Sequence, residues 1–555
     1  MKAKIICILV MTLLIATAIN AVGTRNEIKN EESLLMSGPE IEWMNTYGGS
    51  QFDQFRCVQQ TSDMGYIVFG EYEESNMNYA RLMKLDSNGV EVWNVINYDI
   101  NASSYDEAGE LMTYVIQTSD GGYLASGFSK YYYTDGESGF WGNCGFLWKT
   151  NSVGNTEWLK FYFDADEILW LCMYEMTEVD DGYIGGGMSV DYVDMNLTDW
   201  TLDFMIQKVD FDGNIDWYET YDLGGWEVAT SFDITDEGNY YLSGLYTEDN
   251  IWINDDDEYL MLVTDSNGNE LWHKFLGGDK AEYSPTRGCG QTPDGGYTMC
   301  GFTKSYTAEG GGNWDIWQIK TDSTGNIEWE NLFGGVGYEN IWGMQITSDG
   351  GLILPIAYNL GGMSGTRDDL LLVKTCNNGN IVVNVLFEES GRQIPIFIRE
   401  TDDGGFIICG RTGNPDSTTT DSLLIKISAF DNQRPNKPDT PSGPTEGKPE
   451  TEYTFTTSAT DPNGDDISYK WDWGDGNYSD WIDTGEATYS WDEKSDYNIK
   501  VMAKDEYGGE SDWSDPLTIT IPRDKAINIP ILQFLRSHPN LFPLLQKLLL
   551  RFRLL

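Results

Sequence analysis

The strongest constraint in this sequence is a period. Between residues 41 and 430 a turn of the type Thr-x-Asp-Gly-Gly-Tyr returns seven times, at 61–66, 118–123, 180–183, 236–240, 292–297, 347–352 and 401–406. Measured from the Gly before the aromatic or apolar residue (Gly65, Gly122, Gly182, Gly238, Gly296, Gly351, Gly405), the intervals are 57, 60, 56, 58, 55 and 54 residues. A second motif, Lys-x-Asp-x-x-Gly-Asn-x-x-Trp, alternates with the first at 84–93, 208–217, 265–272 and 320–329. Looser copies stand at 149–158 and 374–383. Both are tight turns in which Gly takes positive φ between runs that alternate apolar and polar residues, so each repeat holds two hairpins and four strands.

Seven four-stranded repeats at this period predict an all-β chain whose residues 41–430 form a seven-bladed β-propeller. The ends are complementary. The seventh repeat stops at Phe430 without a Trp strand, whereas Ile41-Glu42-Trp43 is a Trp strand with no preceding half. The N-terminal segment is therefore expected to complete the last blade. An open solenoid would have no reason for such ends.

Composition supports this and removes some functions. The chain has 60 Gly, 32 Tyr, 22 Phe and 20 Trp in 555 residues, and 89 acidic against 35 basic side chains give a net charge of −54. Nucleic acid is excluded as a partner, because a polyanion would be repelled. With only His273 and His538, His-rich metal sites are excluded too. His273 follows a strand Trp with no Ser or Cys motif beside it, and is expected to be structural. No catalytic residue is nominated. Glycoside hydrolysis needs only two carboxylates, and spacing alone selects no pair.

Residues 1–21 carry Lys2, Lys4 and an apolar run from Ile5 to Ile15, and read as a secretory signal peptide. A linker follows at 22–40. Of the eight Cys, Cys7 leaves with the signal and the other seven are scattered, which is no disulfide framework. Cys289 and Cys300 flank a turn and could face each other, but small buried hydrophobes are favoured.

If both turns of a repeat lie on one rim, everything variable lies on the other. The connections between the hairpins are rich in aromatics, and Tyr132, Trp141, Trp200, Trp252 and Trp314 are the candidate ligand-binding residues. Trp148, Trp317 and Phe204 are expected in the core. The Asp-x-x-Gly turns lack the twelfth-position ligand of a calcium loop, so turn chemistry accounts for them.

Residues 431–449 form a Pro-rich linker. The stretch 450–521 then alternates short strands and turns in the manner of an immunoglobulin-like β-sandwich. Its Trp471-Asp472-Trp473-Gly474-Asp475-Gly476 resembles the Trp-Asp-Phe-Gly-Asp-Gly hallmark of the PKD family. That resemblance implies an extracellular spacer or adhesion module. The Asp-Gly-Gly-Tyr repeats look like those of secreted prokaryotic, archaeal-type proteins. Asp461, Asn463 and Asp465 could hold calcium at the sandwich edge, although turn and capping roles weigh more. Residues 522–555 are a basic amphipathic tail (Lys525, Arg536, Lys547, Arg551, Arg553), expected to lie on a membrane surface or meet sorting machinery. Sequons at Asn101, Asn196 and Asn477 suit a glycoprotein.

The expected function is that of a secreted, surface-retained, non-enzymatic binding or adhesion protein. Its rim loops would recognise a polysaccharide or envelope protein. A polysaccharide-active hydrolase or lyase and a structural envelope component are the alternatives.

Overall fold

The computed structural model describes residues 39–521, apart from 50, 76, 104–111, 135–138, 165–168, 193–199, 249–256, 284–288, 307–314, 334–337, 349, 360–367, 377–378, 380, 388–391, 414–418, 431–433, 463–465 and 506–508, together with Phe534, Ser537, His538 and Lys547. The chain divides into two compact units, Met1–Asp431 and Asn432–Leu555.

In the first unit every strand pairs antiparallel with its neighbours. After β1 (Ile41–Tyr47), a four-stranded meander is built from β2 (Asp53–Gln60), β3 (Tyr66–Glu74), β4 (Met77–Leu85) and β5 (Glu91–Ser103). The next eight strands form one sheet: β6 (Met112–Gln117), β7 (Tyr123–Thr134), β8 (Gly139–Thr150), β9 (Thr156–Asp164), β10 (Leu169–Val179), β11 (Gly182–Tyr192), β12 (Trp200–Val209) and β13 (Ile215–Tyr221). This sheet is two meanders whose ladders are joined, among the described residues, where Leu169 and Trp170 meet Asp164 and Phe163. A further meander comprises β14 (Trp226–Ile234), β15 (Tyr240–Thr247), β16 (Glu258–Thr264) and β17 (Glu270–Leu276).

In the next two sheets the first strand is broken into two pieces. β18 (Glu282–Tyr283) and β19 (Cys289–Gln291) both pair with β20 (Tyr297–Thr303), which leads to β21 (Asp315–Thr321) and β22 (Ile327–Phe333). Likewise β23 (Tyr338–Ile341) and β24 (Gln345–Ile346) pair with β25 (Leu352–Asn359), ahead of β26 (Asp369–Thr375) and β27 (Ile381–Phe387). The last sheet holds β28 (Arg392–Glu400), β29 (Phe406–Gly413) and β30 (Thr420–Ile427). Its fourth strand is β1, with Trp43 opposite Lys426.

The turn motif explains its own composition. In the first copy Thr61 Oγ1 donates to Asp63 Oδ1 at 2.6 Å and the Gly65 amide donates to the same oxygen at 3.0 Å. The fourth residue of the turn takes positive φ, which Gly121, Gly238, Gly295, Gly350 and Gly404 adopt freely and Met64 adopts at 64°. At Gly65 a Cβ would meet the Leu85 carbonyl oxygen at 2.3 Å, so the second Gly allows the third strand to close in.

The two motifs are also tied to each other. Lys84 at the end of β4 reaches back to Asp63 Oδ1 at 2.9 Å, and Lys149–Asp120, Lys208–Asp181, Lys320–Asp294 and Lys426–Asp403 repeat the contact at 2.6–3.1 Å. Between repeats, the Trp of one packs on the Tyr of the next: Trp93 on Tyr123, Trp217 on Tyr240 and Trp272 on Tyr297. Trp43 does the same to Tyr66, with ring centroids 5.8 Å apart. Turn amides are capped from the following repeat as well. Ser62 N donates to Gln117, Ser119 N to Glu178, Asp236 N to Gln291, Ser348 N to Glu400, and Asp402 N to Gln60. The core is apolar between successive sheets, with Trp148, Trp317 and Phe204 buried as expected.

The second unit has two sheets. One pairs β31 (Tyr453–Thr456) with β33 (Glu486–Tyr489); the other runs β32 (Ile467–Asp472), β34 (Asp496–Asp505), β35 (Leu517–Thr520). Their shared core joins Phe455, Trp471, Trp473, Trp491, Ile499 and Val501. Trp473 stacks on Tyr489 at 4.6 Å, and the Trp491 indole donates to the Trp473 carbonyl.

Candidate functional site

Consecutive antiparallel pairing puts the two turns of every repeat at the same end of their sheet. The turn end is chemically closed: its Asp oxygens accept from Thr, backbone amides and a buried Lys. Burial alone would raise the Asp63 carboxyl, but the hydrogen bonds from Thr61, Lys84 and Gly65 outweigh it and hold the group down to about 2. Asp120 is held at about 2 in the same way, by Lys149, Thr118 and Gly122. In the second motif Asp265 Oδ1 accepts the amides of Asn267 and Asn269 at 2.8 and 2.9 Å, so its oxygen organises a turn.

The opposite end carries the connections between the hairpins. They range from residues 75–76 between β3 and β4 to residues 304–314 between β20 and β21. Here the sequence expectation needs correcting. Tyr132 and Trp141 are not in a loop: they lie in β7 and β8, directly opposite each other in the ladder. Trp200 likewise is the first residue of β12, opposite Tyr192. These hairpins continue beyond the Gly at which the sequence reading ended them, because aromatic and Thr residues prolong the ladder. Trp252 and Trp314 lie in the connections, outside the described residues.

Other expected positions are placed as follows. Asn101 is in β5, opposite Tyr79. Asn477 is exposed and donates to the Tyr489 hydroxyl at 3.0 Å. Asn196, Asn463 and Asp465 are outside the described residues, so Asp461 is the one member of that calcium set with a described position. Cys289 pairs with Met299, one residue out of register with Cys300, whose thiol is free and buried. His273 Nδ1 lies 2.8 Å from Glu270 Oε1.

Three polar clusters escaped the sequence reading, because their members lie on different strands that only the fold brings together. On the strands that open successive repeats, Arg399 of β28 donates to the Tyr114 hydroxyl of β6 at 2.8 Å and lies 3.9 Å from Glu175 of β10. Glu175 in turn accepts from Ser231 and the Phe232 amide of β14. Next to them, burial, opposed by the Gln291 amide, raises the Asp233 carboxyl to about 6.

The second cluster is basic and joins the first and last repeats. Arg411 donates to Gln54 Oε1 at 3.2 Å and lies 5.2 Å from the Phe52 ring centroid. Arg56 pairs with Glu71 at 3.3 Å, and Arg392 pairs with Asp368. Burial first, then repulsion from Arg56, lowers the Arg411 guanidinium to about 10.

The third cluster is acidic. Asp203 of β12, Asp222 just after β13 and Glu227 of β14 bring carboxylate oxygens within 4.8 Å of one another. Burial, reinforced by the charge of Asp203, raises the Glu227 carboxyl to about 8. Only oxygen donors converge there, a set suited to a hard divalent cation.

Residues 440–515 match the family model described as PKD domain. The chain is similar over 17% of its length to the PKD domain of an M14-like peptidase from a Thermoplasmatales archaeon, at 40% identity, with 99% of that chain covered and a TM-score of 0.16. It is also similar to a Penicillium chrysogenum alpha-L-arabinanase complexed with arabinobiose, at 9% identity, over 71% of this chain and 98% of that one, with a TM-score of 0.37. Polysaccharide lyase Uly1 gives 10% identity, 74% and 98% coverage and a TM-score of 0.40. No curated protein matches the chain. By the family model residues 440–515 are a PKD domain, and the described elements of residues 41–430 are all β-strands.

Proposed function

We propose that residues 41–430 form a closed ring of seven four-stranded blades and that the exported, surface-retained chain binds a surface polysaccharide or envelope protein, without catalysis. The ring reading is supported by β1 pairing with β30 and by the Asp402 amide donating to Gln60. The binding reading rests on one observation, the unlike ends of the sheets. At the turn end the same Lys–Asp and amide contacts recur, whereas the other end carries connections of unequal length. Loops that differ among repeats on a common scaffold are where recognition evolves. Tyr132 and Trp141, cross-strand neighbours in their ladder, and Arg56, Arg392 and Arg411 are residue types suited to sugar rings and to carboxylate-bearing chains. The PKD domain acts as the spacer and the basic tail as the retaining element.

The test uses the full chain with a panel of neutral and acidic polysaccharides and envelope proteins, scoring both retention and soluble products. Retention without products, lost in Trp141→Ala or Trp314→Ala, is the expected result. Released oligosaccharide would overturn the reading in favour of an enzyme.

A further inference from the structure

A carboxylate pair recurs where one repeat hands over to the next. Asp203 and Glu227 are 24 residues apart, and the same spacing separates Glu258 from Glu282, Asp315 from Glu339, and Asp369 from Gln393. Where the last repeat meets the first, Asp421 stands beside Asp53: a Cβ on Gly48 would touch both, at 2.2 and 3.0 Å. A buried carboxylate needs a donor or a counter-charge, and each described junction meets that need differently.

Asp53 has Arg81 at 3.8 Å and accepts the Gly49 amide at 3.1 Å. Glu282 accepts from the Thr303 hydroxyl at 3.0 Å and from the Gly278 amide at 3.4 Å. At position 393 the acid is replaced by an amide. Glu227 is 0% exposed, its Oε1 accepts from the Gly225 amide at 3.2 Å, and its Oε2 is buried with no hydrogen-bond partner, as is Asp53 Oδ1, which has Arg81 nearby.

What this junction has instead is a third acid. Five residues after the strand Trp three other repeats carry Gly48, Gly277 and Gly334, while the remaining repeats carry Tyr98, Phe163 and, after Val383, Glu388; after Trp217 the residue is Asp222. At Gly48 and Gly277, which face a carboxylate pair, a side chain would run into that pair. A Cβ on Gly277 would lie 2.8 Å from Glu282 Oε2 and 2.9 Å from Glu258 Cγ. Asp222 therefore adds a negative group where the geometry forces it against two others, and its oxygen comes within 4.8 Å of both. Among the described residues no other group of three such side chains comes so close.

We propose that Asp203, Asp222 and Glu227 are the protein ligands of a calcium ion that joins β12, the end of β13 and β14 across the junction between the third and fourth repeats. Three carboxylates and no nitrogen or sulfur donor select a hard cation, and the remaining positions are left to backbone oxygen and water. Glu227 Oε2 is then the buried ligand, and Asp222, which is exposed, is the gate through which the ion enters. The site is independent of the ligand proposed for the rim.

The test is equilibrium dialysis of chelator-stripped full chain with Ca²⁺ at about 0.15 M salt, where surface carboxylates are screened. Asp222→Gly installs the residue that three other repeats carry there, and Glu227→Gln keeps the shape of the side chain. Both variants should retain the wild-type circular dichroism, lose one tight calcium equivalent per chain, and show a smaller rise in unfolding temperature on adding Ca²⁺. Folded variants that bind as many equivalents with unchanged affinity would overturn the site. Equal affinity of the wild type for Mg²⁺ would overturn the assignment to calcium.

Discussion

Lys84 Nζ sits 2.9 Å from Asp63 Oδ1 and equally close to the Leu85 carbonyl, so one buried ammonium closes the first hairpin turn of its repeat from the third strand. Lys84→Met removes both bonds while keeping the apolar stem. The expected loss is about 1–3 kcal/mol, read by urea unfolding, and Lys320→Met should behave alike. A change within about 0.5 kcal/mol, the range of ordinary surface substitutions, would show that the lysines decorate the turns rather than hold them.

The same contacts set an acid limit. Asp63 and Asp120 have folded-state values near 2, below the ordinary 3.8. Depressed carboxylates contribute stability that is complete above the unfolded value and disappears as pH falls through the folded one. Unfolding free energy should therefore decline between about pH 4 and pH 2. In Lys84→Met and Lys149→Met the decline should be shallower, because the partner that favours the charged Asp is gone. An identical slope in those variants would reject the assignment.

Met64 occupies, at φ 64°, the position that glycine fills in most other copies of the turn. Met64→Gly relieves a left-handed conformation costing about 1–2 kcal/mol in a side-chain-bearing residue, offset by about 0.5–1 kcal/mol of extra chain entropy in the unfolded state. A net gain of up to about 1 kcal/mol is expected by thermal unfolding. Destabilisation would mean that the Met side chain packs usefully.

Trp43 and Trp93 hold equivalent positions, on Tyr66 and Tyr123 at 5.8 and 5.6 Å. If the N-terminal strand is a full member of the last sheet, Trp43→Ala and Trp93→Ala should cost similar amounts, about 2–4 kcal/mol each for truncating a partly buried indole. A negligible effect at Trp43 alone would indicate that β1 frays.

The repeat was legible because its turns demand particular residues: glycine at positive φ, Asp to accept amides, and Lys and Trp at fixed distances. The pairing of Lys84 with Asp63 needed only the third dimension to explain why the two motifs travel together. Strand limits were less legible. Tyr132 and Trp141 satisfy the alternation of a strand and the composition of a binding loop equally well, and only the ladder decides. The candidate sites were hidden for another reason. Arg399, Tyr114 and Glu175 come from three repeats, and Asp222 is conspicuous only once its strand shows it standing where Gly48 and Gly277 stand.

The Glu40 amide donates to Ser428 Oγ, 388 residues further along, and Ile41 lies opposite Ile427. β1 is made well before β30 and is thus among the last of the described strands to find its neighbour. Until the seventh repeat is made, β30 has an unpaired edge and β1 an exposed Trp. The clasp can only shut after the whole array is assembled, a topology of high contact order that folds slowly. Such a chain keeps an open, unsealed state for longer than one whose first sheet seals itself at once.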